Sequence, residues 1–447
     1  MNHVFGRFTN IELPTVVRGE GLYLYDANGK RYIDACGGAA VSCLGHSDPR
    51  VTEAIRAQLE RVAYTSTVFF TNKPSEQLAD ELIRDAPAGL SRVFFGSGGS
   101  EQVEGTLKLA RQYFLAKGEP QRTRFISRWQ SFHGNSLGTL GVTGHVKRRE
   151  PYLPLIVDAE HIAPCYAYRG RRADETEIAY GERVAGELEE TLLRIGPETV
   201  IAFIAETVVG ATLGCVPAVP GYFRRIREIC DRHGVLLILD EIMSGMGRTG
   251  VRFACEDEGV APDLLVLAKG LGGGYQPVSA TLVSTEIYQT IARQHGHLVH
   301  GHTYQSHAAA CAAALAVQRI IAEEGLLANV RRQGVALANA LTERLGNHPH
   351  VGDIRGRGLF WGIEFVEDRS SKRPFDPGRA VGWNLSRRAL ANGLVIYPGS
   401  GTVDGVAGDH LIVAPPYNVT AAQIEEIVEA TVAVVTGGLP PAPTSRG

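Results

Sequence analysis

Short unbroken apolar runs that end in one charged side chain recur along this chain. Gly234-Val-Leu-Leu-Ile-Leu-Asp240 and Asp263-Leu-Leu-Val-Leu-Ala-Lys269 are the clearest. Runs of this length without polar alternation predict strands buried on both faces of a parallel sheet. Arg92-Val-Phe-Phe-Gly96, Thr123-Arg-Phe-Ile-Ser127 and Val200-Ile-Ala-Phe-Ile-Ala-Glu206 carry the same signal. Helical spacing separates them. Val103, Leu107, Ala110 and Phe114 share one face between Glu101 and Ala116, and helices are also expected over 220–233, 306–324, 326–345 and 379–392. Strands alternating with helices from about residue 60 onward predict a wound α/β fold.

Before that point the pattern changes. Gly21 to Asp34 alternates around Asn28-Gly29, the signature of a hairpin, and Asp48-Pro49 opens a helix with Val51, Ile55 and Leu59 on one side. Strand-like Gly358–Phe365 and Leu411–Ala414 lie beyond residue 345. Residues 168–196 are highly charged, with a helical pattern from Arg183 to Leu193, and are expected to form an exposed insertion. The expected organisation is residues 1–60 and 325–436 in a smaller α+β domain and residues 61–324 in a large domain with a mostly parallel seven-stranded sheet. The Pro- and Gly-rich residues 437–447 are expected to be a disordered tail.

Composition narrows the function. With 447 residues the chain is too long for one simple core. A net charge of −3 argues against nucleic acid or an anionic membrane as partner. No apolar run approaches the roughly 20 residues that span a bilayer, and the first residues lack the apolar core of a secretory signal. Seven scattered cysteines form no CxxC pair, so reduced thiols and a cytoplasmic location are expected. His133, His302, His307 and His410 have no ligand spacing, so no metal site is expected.

The chemistry is placed by the strand ends. Ligands of open α/β sheets bind at the carboxyl ends of the strands. Asp240 and Lys269 stand at two such ends, and Lys269, one of seven lysines among 45 basic residues, alone closes an apolar run. Taken singly, each could be a solvated loop residue. Together, a carboxylate and an amine in one crevice are what pyridoxal 5′-phosphate requires, the lysine to carry it covalently and the acid to keep its ring nitrogen protonated. Ser97-Gly-Gly-Ser100 between a strand and a helix fits an anion site, although such turns are also ordinary N-caps.

Eight pieces then occur in one order: Tyr23–Asp26, Gly99–Glu101, Phe132–Gly134, Leu239–Glu241, Gly247–Gly250, Leu267–Gly270, His302–Tyr304 and Ala414–Pro416. In this order, with Asp240 and Lys269 29 positions apart, the chain resembles the class III aminotransferases, pyridoxal-phosphate enzymes of fold type I. The resemblance runs from about residue 20 to about 432. It implies Lys269 and Asp240 as catalytic residues. It also implies Gly99, Ser100, Phe132, His133, Glu206 and Ile242 as cofactor contacts, Gly99 and Ser100 at the phosphate, Phe132 and Ile242 on the two ring faces, and Glu206 behind Asp240. Thr303 would reach the phosphate of a neighbouring subunit, which implies a homodimer with shared sites, a tetramer being the alternative assembly. Phe69 and Phe70 fit a stretch that lines the substrate pocket in relatives; for them, and for Phe132, core packing is the alternative reading.

Substrate choice turns on two departures. Ornithine and 4-aminobutyrate members carry a second glutamate where this chain has Ala211, so the resemblance points to an ω-amino acid or amine donor and to pyruvate as the 2-oxo acid acceptor. Amine:pyruvate relatives carry an arginine just ahead of Gly-Asp-His, and this chain has Ala407 before Gly408-Asp409-His410. Arg355 or Arg357 is expected to take that arginine's place. A 2-oxoglutarate-dependent enzyme, or an aminomutase, racemase or decarboxylase on the same scaffold, is the alternative. A non-enzymatic nucleotide-binding protein is disfavoured, since the glycine-rich pieces match neither a P-loop nor GxGxxG.

Overall fold

The computed structural model describes residues 3–440. Seven strands form its central sheet: β1 (Leu90–Gly96), β2 (Arg124–Arg128), β3 (Glu160–Ile162), β4 (Val200–Glu206), β5 (Leu236–Asp240), β6 (Leu264–Leu267) and β7 (Ser279–Ser284). Their spatial order is β1-β7-β6-β5-β4-β2-β3. β7 is antiparallel to both neighbours, and the other pairs are parallel. The parallel strands therefore all end on one edge.

Every residue of β4 and β5 is buried, which is why neither alternates in polarity. Successive side chains of a strand face opposite ways. Leu237 and Leu239 accordingly join a core with the helices Glu177–Ile195 and Tyr222–His233, whereas Leu236 and Ile238 join a second with the helices Gly99–Ala116 and Thr285–Gln294.

One expectation fails here. Residues 177–195 are not an exposed insertion. Tyr180, Val184, Leu188 and Leu192, four apart, are buried against the sheet, and the charged positions lie on the outer face of the same helix. Charge density concealed the stripe because half of an amphipathic helix is polar by construction.

The two ends of the chain meet. Val16–Glu20, Tyr23–Asp26 and Arg31–Asp34 form an antiparallel sheet that Leu394–Val395 extends in parallel. Asp26 fixes the predicted hairpin turn by accepting the Asn28 and Lys30 amides at 2.9 and 3.0 Å. Val351–Arg357, Phe360–Phe365, Asp409–Val413 and Tyr397–Ser400 form a further antiparallel sheet. The last helix, Ala421–Gly438, opens with a capping box between Thr420 and Gln423. The expected disordered tail therefore starts too early at residue 437, since Gly437 and Gly438 are helical; residues 441–447 lie outside the described residues. All seven cysteines are buried and unpaired. Among the described residues no helix is long and apolar enough to cross a membrane.

Candidate active site

At the carboxyl ends of β4, β5 and β6 lies a cavity of about 420 Å³, within the range of small-molecule sites. Asp240 ends β5 and stands in register with Glu206, the end of β4. Two buried carboxylates side by side need compensation, and each has it. Asp240 places Oδ2 2.8 Å from Nδ1 of His133 and accepts the Ile242 amide at 3.0 Å through Oδ1. A carboxylate can only accept, so Nδ1 of His133 carries the proton; Nε2 of the same ring is buried with no partner among the described residues. Glu206 accepts the amides of Phe132 at 2.9 Å and Gly210 at 3.0 Å, and burial pushes its carboxyl up. It thereby fixes the backbone beside His133.

Lys269 follows β6 by two residues and lines the same cavity. Its φ is +43°, a left-handed conformation that costs a residue with a side chain about 1–2 kcal/mol. Gln318, buried on the Ala308–Glu323 helix, holds the loop there by donating to the carbonyls of Gly270 and Leu271 at 3.1 and 2.9 Å. Burial lowers the Lys269 amine to about 8, although the Asp240 and Glu206 carboxylates pull the other way. With a value near 8, roughly a tenth of the amine is neutral at pH 7, far more than for an ordinary lysine, and that form can accept a proton.

The third wall is the start of the helix Gly99–Ala116. Ser97, Gly98, Gly99 and Ser100 line the cavity, and no side chain caps the helix. Its first amides and the positive end of its dipole are thus available to an anion. A Cβ at position 99 would come within 3.0 Å of Cδ1 of Ile242, so glycine lets these two walls approach. Ser100 Oγ accepts the Asn135 amide at 3.1 Å, tying the helix start to the segment after His133.

The cavity brings together Gly99, Ser100, Phe132, His133, Glu206, Asp240, Ile242 and Lys269, eight of the eleven residues singled out in the sequence. Three lie elsewhere in the single chain. Thr303 is exposed, and Phe69 and Phe70 are 76% and 66% exposed, so neither core packing nor a place in this chain's own cavity describes the phenylalanines. Arg355 and Arg357 are not free to clamp a substrate. Arg355 is buried against Glu364 at 2.7 Å and Asp353 at 3.0 Å, and Arg357 pairs with Glu258 at 3.0 Å. Residues not singled out include Asn135, Val41 and Met243 on the cavity wall and Gln318 behind Lys269. Only Asn135, next to Phe132–Gly134, had a sequence signal.

Known proteins resemble this chain over nearly its whole length. Residues 8–435 match the family described as aminotransferase class-III. An uncharacterized aminotransferase of Schizosaccharomyces pombe is 46% identical over 97% of this chain and 95% of its own length. Among solved structures, a thermostable (S)-enantioselective omega-transaminase from Thermomicrobium roseum superposes with a TM-score of 0.92 at 35% identity, covering 98% of this chain and 97% of that one. The omega transaminase of Pseudomonas jessenii in complex with PMP gives 0.90 at 33% identity, covering 95% and 93%.

Proposed function

The chain belongs to the class-III aminotransferases, and from that premise we propose that it moves an amino group from an ω-amino acid or amine to pyruvate by a ping-pong mechanism. It is a transferase of fold type I, and its cofactor is pyridoxal 5′-phosphate. The observation that carries the reading is the convergence of Lys269, Asp240 and an uncapped helix N-terminus on one cavity. The three walls fit the three ends of the cofactor. The amides of Gly99 and Ser100 would hold its phosphate, Asp240 would face its ring nitrogen, and Phe132 and Ile242 would flank the ring. Bound there, the cofactor supplies an electron sink for the charge left when a proton leaves the substrate Cα.

The protein's own part is proton traffic and positioning. Lys269 Nζ, largely desolvated, takes the proton from Cα and returns it during transfer. Asp240, held at both oxygens by His133 and the Ile242 amide, presents a fixed negative charge and favours a protonated partner. Glu206 keeps Phe132 and His133 in place through the Phe132 amide.

Pyruvate is favoured over 2-oxoglutarate by the surroundings of position 211. Ala211 packs on the apolar cluster of Ala40, Val208, Cys215, Met243 and Phe360, and Met243 and Val41 carry that apolar character into the cavity. The omega-transaminase names of both structural neighbours support the donor side of this reading.

A homodimer with shared sites is part of this reading. Tyr64, Val68, Phe69, Phe70 and Tyr304 are exposed, and the Tyr64 and Tyr304 rings meet edge to face at 5.8 Å, so the two segments form one apolar surface beside Thr303. A surface of this kind favours burial against a second copy, which would carry Thr303, Phe69 and Phe70 to that copy's cavity. The seven unpaired thiols fit a reducing compartment, and we place the enzyme in the cytoplasm.

The deciding experiment follows the cofactor absorbance of the holoenzyme as amine donors are added, then regenerates it with pyruvate or 2-oxoglutarate. Conversion by a donor and faster return with pyruvate are expected. A holoenzyme that no amine donor converts would overturn the transaminase assignment, and faster return with 2-oxoglutarate would overturn the acceptor.

A further inference from the structure

The proposed reaction handles carboxylates on both sides, since the 2-oxo acid acceptor and its amino acid product each carry one. A desolvated carboxylate needs a cation within bonding reach. The two arginines expected to provide it, Arg355 and Arg357, are held by Glu364, Asp353 and Glu258.

Arg148 is differently placed. It belongs to the short helix Val146–Arg149, and each neighbour in that helix is committed: Lys147 donates to the Val406 carbonyl at 3.0 Å, and Arg149 pairs with Asp158. Arg148 forms no ion pair among the described residues. Its guanidinium lies 4.7 Å from the centre of the Phe132 ring, and Nη1 is 3.5 Å from Oδ1 of Asn135. Phe132 and Asn135 both line the cavity.

Packing fixes the short helix that carries Arg148. The segment Gly401–Gly408 lies against it. A Cβ on Gly405 would come within 2.7 Å of Val146 Cγ2, and Gln130 bonds the Val403 carbonyl at 2.9 Å.

We propose that Arg148 recognises the carboxylate of the 2-oxo acid and of the amino acid at the rim of the cavity, and so sets the preference for carboxylated substrates. The proposal rests on the aminotransferase reading above. Its charge is felt inside, where it adds to the lowering of the Lys269 amine by burial; burial lowers the Arg148 guanidinium itself, opposed by a hydrogen bond to the Tyr397 hydroxyl and furthered by Arg7. A guanidinium over an aromatic face keeps its fork of donors available for a planar carboxylate.

The test compares alanine, in whichever enantiomer the wild type prefers, with isopropylamine, which has a methyl group where alanine has its carboxylate. Half-reactions of the holoenzyme are followed by cofactor absorbance, and binding of the unreactive carboxylate propionate is measured by calorimetric titration. Arg148→Gln is expected to lower kcat/KM for alanine about 10- to 100-fold through KM, the range of a charge-assisted bond. The loss on isopropylamine should be at least tenfold smaller, propionate binding should weaken in step with alanine, and Arg148→Lys should recover part of both. Equal losses on the two amines, an unchanged KM for alanine, or propionate binding indifferent to Arg148→Gln would overturn the proposal. A wild type that converts neither amine speaks against the donor class; the propionate titration then decides the role of Arg148 by itself.

Discussion

Asp240 and His133 are 107 positions apart in the chain and meet at 2.8 Å, Oδ2 to Nδ1, in a fully enclosed contact at the end of β5. In the proposed reaction the imidazole orients the carboxylate that faces the cofactor ring. Asp240→Asn keeps the shape and removes the charge, so cofactor should remain bound while the half-reaction slows at least about 100-fold, the scale of losing one preorganised charge. His133→Ala leaves Asp240 with the Ile242 amide alone and should cost about tenfold or more with the cofactor spectrum altered. Stopped-flow absorbance checks both, and near-normal rates in Asp240→Asn would contradict the proposed role of the carboxylate.

Lys269 gives two outcomes. Lys269→Ala should abolish turnover without loss of the fold, as read by circular dichroism and melting temperature. The second concerns pH. An amine lowered to about 8 by burial is neutral above that value and protonated below it. Uptake of cofactor by the apoenzyme needs the neutral amine, so its rate should rise with pH through a midpoint near 8. A midpoint near 10.4, the ordinary lysine value, would place Nζ in solvent instead.

The exposed Phe69–Phe70 surface predicts assembly. Phe69→Asp with Phe70→Asp should shift the proposed dimer to monomer in sedimentation and weaken cofactor retention at the same time. Thr303→Ala should lower cofactor retention by itself. A double variant that stays dimeric would remove this surface from the interface.

Glu364 predicts a stability effect away from the cavity. It is fully buried and accepts from Tyr166, from Arg169 at 2.8 Å and from Arg355 at 2.7 Å. Burial alone would raise its carboxyl, but the two guanidinia outweigh that and lower it. A folded-state value below the unfolded one gives stability that is present at neutral pH and lost as pH falls through the folded value, here below the ordinary carboxylate range near 4. Glu364→Gln takes the carboxylate from both guanidinia, leaving Arg355 only Asp353 as an anionic partner, and should cost about 3 kcal/mol at pH 7. Urea midpoints of wild type and variant should converge as the pH drops below about 4, and a gap that persists there would show packing rather than charge to be the cause.

Local physics wrote much of this protein into its sequence. A strand buried on both faces must be uniformly apolar, so the runs ending at Glu206, Asp240 and Lys269 announced the sheet and the edge at which its chemistry sits. The helix Leu326–Leu345 and the Asn28-Gly29 turn were legible for the same reason, because period and turn chemistry are properties of neighbours in sequence. The helix Glu177–Ile195 misled because burial depends on which face meets the sheet. What only the tertiary structure decided is which distant groups share one space. It brought His133 to Asp240, Gln318 behind Lys269 and Arg148 over Phe132, and it removed Arg355 to a buried pair with Glu364. Charge pairing is settled by distance across the fold, and distance across the fold is set by how whole helices and strands pack, to which no single stretch of residues has access.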